Sequence, residues 1–434
     1  MNDTIFALSS GHLPSGVAVI RLSGAEAFTA AAVLAGTLPP PRQAGLRFLH
    51  GADGKLIDQG LVLAFPSPAS FTGEDCIEFQ IHGGKAVVAA MLEELGRFPN
   101  LRHAEPGEFS RRAFENGRLD LVEIEGLADL INAETEMQRR LALEQMAGHV
   151  SAIYEEWSER LKFARAMIEA ELDFADEEDV PGSVSERIWG DLANLLTEME
   201  RHLERSRGGE IIRDGLKVVI AGQPNAGKST LFNALVQRDA AIVTHIPGTT
   251  RDVLQADIVI GGFAVRLYDT AGIRETDDPV ERIGVDRAMQ VFRQADVALV
   301  LDSSGEFSLN AGVSAGRVIK VLTKADMKDA GKTAFDVAIS SKTGQGIDAL
   351  KAMIIRDAEA MAAHGLALAS RQRQIIAIQD AKNAVEEALL SAEHPLDLRA
   401  EMLRQASNSL GRITGRVDVE QLLDVIFSQF CIGK

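Results

Sequence analysis

"VVIAGQPNAGKSTLFNAL", residues 218–235, joins a β-branched apolar run to a helix-forming run through a turn that carries two glycines. Gly222, Gly227, Lys228 and Ser229 stand there at the spacing GxxxxGKS. That spacing, directly after a strand and opening a helix, is what a triphosphate cradle requires. Backbone N–H groups of Asn225, Ala226, Gly227, Lys228, Ser229 and Thr230 point at phosphate oxygens, and the glycines permit close approach. Lys228 neutralises the β- and γ-phosphates, and the Ser229 hydroxyl binds Mg²⁺. Outward from this loop, "LKVVIA", "FAVRLYD", "VALVLD", "RVIKVLT" and "FDVAIS" alternate with helical segments between Leu216 and residue 355. The alternation predicts a parallel sheet covered by helices on both faces.

Three later stations select the nucleotide. "YDTAG" puts Asp269 at a strand end, where it holds the magnesium shell through water, and the N–H of Gly272 meets the γ-phosphate. "VLTKAD" ends another strand with Lys324 and Asp326, whose carboxylate can accept both N–H groups on one edge of guanine; adenine offers no such pair. "ISSKTG" adds Ser340, Ser341 and Lys342 beside the base. In order and spacing these stations resemble the translation-factor-like GTPases. That group usually has Asn where this chain has Thr323; a hydroxyl keeps one of the Asn hydrogen bonds, with weaker base affinity as the expected consequence.

Many such GTPases orient the attacking water with a Gln just after DTAG. Ile273 holds that place and cannot do so, which leaves a carboxylate in "ETDDPVERIG", with Glu281 as the candidate. No arginine finger is evident. Asn225 and "VTHIPGTTRD" (residues 243–252) supply amide, hydroxyl and carbonyl oxygens suited to a monovalent cation where the arginine charge would lie. Of the threonine pair, Thr250 is assigned to Mg²⁺ and Thr249 to the cation.

A chain of 434 residues with 46% hydrophobic and 25% charged residues suits a soluble protein of several domains. Two cysteines, Cys76 and Cys431, cannot form a disulfide framework, which points to a reducing cytoplasm. Neither a signal peptide nor a run of about 18 apolar residues is present, so export and membrane insertion are not expected. The formal charge of −18 argues against loose, whole-surface binding of nucleic acid. "GVAVIRLSG" and "DCIEFQIHGG" mark an N-terminal α+β domain. From about residue 106 the chain turns helical, with Leu119, Val122, Leu127, Leu130 and Ile131 at helical spacings, and the acidic "DFADEEDVPG" reads as a solvated loop. "GGEIIRDG" near Gly208 marks a boundary, and helices resume after residue 363, so that two helical halves flank the α/β insert. Near the end Asp418 can cap a short helix, with Gln421 at its third position and Leu422, Leu423, Ile426 and Phe427 on its apolar side. The terminal "FCIGK" fits a prenylation signal badly at Gly433 and Lys434; a packed thiol is the plain alternative for Cys431.

With "FTGEDCIEFQIHGG", "PGEFSRRAFENGRLDL", "GQPNAGKST", "AIVTHIPGTTRDV", "DTAGIRETDDPVERIG" and "FCIGK" together, essentially the whole chain resembles the tRNA modification GTPase family MnmE, also called TrmE. The resemblance implies a multidomain protein: an N-terminal α+β folate-binding and dimerisation domain (1–115), a discontinuous all-α helical domain (116–208 and 364–434), and an inserted α/β P-loop GTPase domain (209–363). It implies a tetrahydrofolate one-carbon site at Arg21, Glu78 and Arg118, with Lys434 and the helix-delivered Cys431 near the folate. Lysine is usual where Arg118 stands. It implies K⁺ held by Asn225, Thr244, Thr249 and the carbonyl of Ile246, and water orientation by Glu281; His245 occupies a place that is often Asp. The expected function is a K⁺-dependent GTPase. As a homodimer joined to the flavoprotein MnmG in a heterotetramer or larger complex, it would build an aminomethyl or carboxymethylaminomethyl group on C5 of the tRNA wobble uridine. FAD and a nicotinamide cofactor belong to that partner. Two rivals remain: a ribosome-assembly or other regulatory GTPase without substrate chemistry, which would be expected to carry a basic RNA-binding module, and a P-loop ATPase, which Asp326 disfavours.

Overall fold

Strand periodicity in the N-terminal residues builds one six-stranded sheet with two chemically different faces. The computed structural model describes residues 3–173, 184–239, 254–269, 295–304, 316–327, 335–362, 366, 369–390, 395–417, 420–428, 430 and 433. They divide into two compact units, Met1–Ala128 with Gly411–Lys434, and Asp129–Leu410. The first contains β1 (Thr4–Leu8), β2 (Ser15–Ser23), α1 (Ala27–Ala35), β3 (Gly45–His50), β4 (Leu56–Phe65), β5 (Cys76–Gly83), α2 (Lys85–Gly96) and β6 (Leu101–His103). The strand order is β3-β4-β5-β2-β1-β6, antiparallel except for the parallel β1/β6 pair. Ile20, Leu22 and Phe79 pack against Ala27, Ala30 and Leu34 of α1 and Met91 and Leu95 of α2. Alternate residues of a strand face opposite ways. Arg21, in register with Ala7 and Glu78, therefore stands on the other face. α3 (Glu108–Glu115) lays Phe109 on that face with Ile5 and Ala7.

A buried charge network fixes α3. Arg112, 2% exposed, donates to the Asp3 carbonyl at 3.0 Å, Glu74 at 3.1 Å and Glu108 at 3.0 Å. Arg102 of β6 holds Glu108 through two nitrogens at 2.8 and 2.6 Å. Burial pushes the Glu108 carboxyl up, but hydrogen bonds from Arg102, the Glu105 N–H and Arg112 outweigh it and keep the group below the usual carboxylate range. Breaking one partner of a buried pair costs about 3–5 kcal/mol, because the other charge is left uncompensated.

The proline-free stretch after residue 116 forms α4 (Leu121–Asn132), α5 (Glu136–Met146) and α6 (His149–Asp173). Thr135 and Gln138 form a capping box that starts α5. Val122 is buried as its spacing suggests, whereas Ile131 is 40% exposed. α7 (Val184–Asp214) then leads into a six-stranded sheet of β7 (Leu216–Gly222), β8 (Leu254–Ile260), β9 (Phe263–Asp269), β10 (Val297–Asp302), β11 (Arg317–Leu322) and β12 (Val337–Ala338). The order is β12-β11-β10-β7-β9-β8. All neighbours are parallel except β8, an antiparallel edge strand absent from the sequence reading. Alternate strand residues feed two apolar clusters. One gathers Val218, Ile220, Leu299 and Val321 with α8 (Lys228–Asp239), α9 (Ile347–Ala362) and the α7 residues Ile211 and Ile212; the other gathers Val219 and Ala298.

Gly208 lies inside α7, which ends at Asp214. A Cβ on Gly208 would lie 2.4 Å from the Met361 carbonyl oxygen, so the glycine lets α7 meet the end of α9 closely. α10 (Gln372–Leu390) and α11 (Leu396–Thr414) return the chain to α12 (Glu420–Ser428). Leu423 and Phe427 of α12 pack on Leu121 and Ile124 within the first unit, with Ile426 partly buried beside them. Asp418 and the acidic residues 174–182 lie outside the described residues. Among the described residues no helix is long and apolar enough to cross a membrane.

His202 of α7 is buried between Tyr154 and Trp157, and its Nε2 accepts the Ala369 N–H at 3.2 Å. Burial, aided by Arg205, depresses its pKa to about 4. The unfolded chain, titrating near 6.5, binds a proton that the folded chain refuses between those values, so stability is intact above about pH 6.5 and falls as pH drops toward 4. This site alone should remove about 2 kcal/mol between pH 7 and pH 5. Both tryptophans, Trp157 and Trp189, belong to this unit. Denaturation followed by tryptophan fluorescence will read the loss, and a His202→Gln variant should show a shallower pH dependence.

Candidate functional site

The phosphate loop occupies the gap between β7 and α8, and its backbone turns where side chains are unwelcome. Gly222 ends β7 at φ +147°, and a Cβ there would lie 2.3 Å from the Leu301 carbonyl oxygen. Asn225 and Gly227 also have left-handed φ, +60° and +95°. The Lys228 ammonium donates to the carbonyls of Gly222 at 2.8 Å and Gln223 at 3.0 Å. Burial holds Lys228 below the ordinary lysine range, with the Asp269 carboxylate opposing it. Ser229 Oγ donates to Asp269 Oδ2 at 2.9 Å, so a hydroxyl and a carboxylate, hard oxygens of the kind Mg²⁺ takes, stand side by side. Asp269 itself is 2% exposed.

The TKAD and SSKTG segments meet through their backbones. Lys324 adopts φ +58°, the Ala325 N–H donates to the Ile339 carbonyl at 3.0 Å, and Asp326 is exposed at the tip of the turn. Buried Ser340 receives the Gly344 N–H on its carbonyl at 2.8 Å, closing a turn that displays Lys342, with Ser341 half-buried. Thr323 links this region to the phosphate loop by donating from Oγ1 to the Ala226 carbonyl at 2.8 Å. Thr230 is exposed on the first turn of α8. Thr244, Ile246, Thr249, Thr250, Gly272, Ile273 and Glu281 lie outside the described residues.

The first unit carries a second polar cluster. Arg21 donates to Glu78 Oε1 through Nε at 3.0 Å and Nη2 at 2.8 Å. Its guanidinium lies 5.2 Å from the Phe71 ring centre and 5.8 Å from that of Phe109. Both charged side chains keep about a fifth of their surface exposed, at 20% and 19%, so the pair is open to a ligand. Arg118 is exposed beside Gly73, whose loop Asn116 ties down by donating to the Thr72 carbonyl at 2.7 Å. Cys76 is buried, with Sγ 3.2 Å from Thr72 Oγ1. Cys431 and Lys434 lie outside the described residues. Gly433 between them is buried at φ +102°, where a Cβ would meet the Leu8 carbonyl oxygen at 2.2 Å.

Comparison with known proteins agrees over the full length. The MnmE helical domain matches residues 121–431, and the family described as GTP-binding protein TrmE N-terminus matches residues 4–118. A tRNA modification GTPase MnmE of Rhizobium meliloti is 57% identical over 437 residues, covering 100% of this chain and 99% of its own. Those of Sinorhizobium medicae and Rhizobium etli are 57% and 55% identical with the same coverage. The chain belongs to the MnmE family. Its layout is that of a multidomain member: an α+β N-terminal part, helices drawn from both sides of an insert, and an α/β P-loop sheet.

Several residues of these clusters carry no readable signal in the sequence. Phe71 and Phe109 flank Arg21 although they lie 50 and 88 positions away along the chain, and only folding assembles them. Gly433 enters the sequence reading only within FCIGK, which says nothing of its contact with Leu8. Asp326 lies exposed in the turn after β11. Asp326→Asn should shift preference from GTP toward xanthosine triphosphate in competition binding; unchanged selectivity would remove its base-reading role.

Proposed function

We propose that this protein is a K⁺-dependent GTP hydrolase that acts with the flavoprotein MnmG. Together they install an aminomethyl or carboxymethylaminomethyl group at C5 of the tRNA wobble uridine, using a tetrahydrofolate one-carbon unit. As a member of the MnmE family the chain is a GTPase of tRNA modification. The observation that carries the finer reading is the match over its entire length, 57% identical to a tRNA modification GTPase MnmE, which spans every domain such chemistry would need.

In this reading the chain is a cytoplasmic homodimer that meets tRNA in complex with MnmG, and the partner brings FAD and a nicotinamide cofactor. Lys228 and the loop N–H groups bind the triphosphate, Ser229 and Thr250 hold Mg²⁺, and Asp269 supports that shell. K⁺ bound by Asn225, Thr244, Ile246 and Thr249 supplies a fixed positive charge near the β- and γ-phosphates, where transition-state charge develops. Glu281 orients the attacking water. In the N-terminal domain Arg21, Glu78 and Arg118 bind folate, with Phe71 and Phe109 offering apolar surface beside the Arg21–Glu78 pair. Lys434 joins the folate site, and Cys431 acts there as the catalytic thiol. We keep residues 1–115 as the folate-binding and dimerisation domain, 116–208 and 364–434 as the helical domain, and 209–363 as the GTPase domain.

GTP turnover should be much faster in K⁺ than in Na⁺, and Glu281→Ala should abolish it with nucleotide binding retained; equal rates in both salts would end the cation assignment. Mass spectrometry of wobble nucleosides from cells carrying Cys431→Ser should show the modification missing while GTPase activity persists. Normal modification there would return Cys431 to a packing role.

A further inference from the structure

Thr323 sits at the end of β11, 5% exposed, facing the phosphate loop. Its hydroxyl donates to the Ala226 carbonyl at 2.8 Å, with the Asp302 carbonyl further away at 3.4 Å, and its N–H donates to that Asp302 carbonyl at 2.8 Å. A Cβ built on Gly227 would lie 3.9 Å from the Thr323 side chain, so the threonine packs over the Ala226–Gly227 peptide.

A hydroxyl carries one proton. Both oxygens that Thr323 Oγ1 faces are carbonyls, which only accept, so that proton is committed to them. Guanine's N7 and O6 are also acceptors. Thr323 therefore has nothing left to offer either of them. In a trans peptide the C=O and N–H point in opposite directions. With the Ala226 carbonyl held toward Thr323, the Gly227 N–H is turned away from it, to the side on which a loop of this spacing takes phosphate.

We infer that Thr323 donates no hydrogen bond to the base and is instead a positioning residue for the phosphate loop, aiming the Gly227 N–H. Base selection then falls to Asp326 and the SSKTG turn, without Thr323. The inference rests on residues 222–229 being the nucleotide site, and the test separates the two.

Affinities of the full chain for GDP and 7-deaza-GDP, which lacks only the N7 acceptor, are compared in the wild type, Thr323→Ser, Thr323→Val and Thr323→Ala. The wild type should bind the two nucleotides within about twofold, and a hydroxyl-free variant should weaken both equally, by about tenfold, as expected for stranding a buried carbonyl. Thr323→Ser should stay near wild type. A fivefold or greater preference of the wild type for GDP over 7-deaza-GDP would show a base contact and overturn the inference. So would unchanged affinity in Thr323→Val or Thr323→Ala, with folding checked by circular dichroism, and so would failure of Thr323→Ser to restore it. If neither nucleotide binds the wild type, the nucleotide site itself is wrong.

Discussion

A phosphate-binding loop must turn its N–H groups inward, and an L-residue backbone does this only where Cβ atoms are absent or the neighbours leave room. Gly222, Asn225 and Gly227 meet that constraint with left-handed φ. The surrounding sheet is arranged to hold the result. β10 brings the Leu301 carbonyl so near Gly222 that no side chain fits, β9 ends in Asp269 against Ser229, and the end of β11 presents Thr323 to Ala226. Three strands consecutive in the chain, which the sheet sets on the two sides of β7, thus converge on the turn that follows β7.

The helices are not an independent shell around this sheet. Leu141 of α5 and Ile211 and Ile212 of α7 belong to the same apolar cluster as Val218, Leu299 and Val321. Arg207 of α7 pairs with Asp296, which also accepts the Lys217 N–H at 2.9 Å, so the last turns of α7, the start of β7 and the residue before β10 are tied together. α7 runs into β7 with only Gly215 between them. Displacing α7 therefore strains the strand that carries the phosphate loop.

In the N-terminal unit, charge does the organising work that apolar packing does elsewhere. The face of the sheet opposite α1 and α2 carries Arg21, Glu78 and Ser23, and α3 can cover it only because Arg112, Arg102, Glu108, Glu74 and Asp3 neutralise one another at its edge. That seating brings Phe109 to Arg21. In the same unit Gly433 approaches the Leu8 carbonyl so closely that a Cβ there would not fit.

Contiguous motifs were legible in the residues alone. GxxxxGKS, TKAD and SSKTG each specify a local backbone path, so their places at strand ends and turns follow from spacing within a few residues. The apolar side of α12, with Leu423 and Phe427, was equally plain. The antiparallel edge strand β8 was not, because its pairing with β9 depends on a partner and not on its own pattern. The close approach of Gly208 to Met361 was not legible either, since a glycine that breaks a helix and one that lets two helices touch look identical in sequence. Only the tertiary structure decided that Thr323 bonds Ala226, 97 residues away, and that Phe71 and Phe109 flank Arg21. A hydrogen bond or ring contact between distant residues is selected by how whole strands and helices pack, and that information is spread over the entire core rather than written beside the residues that make the contact.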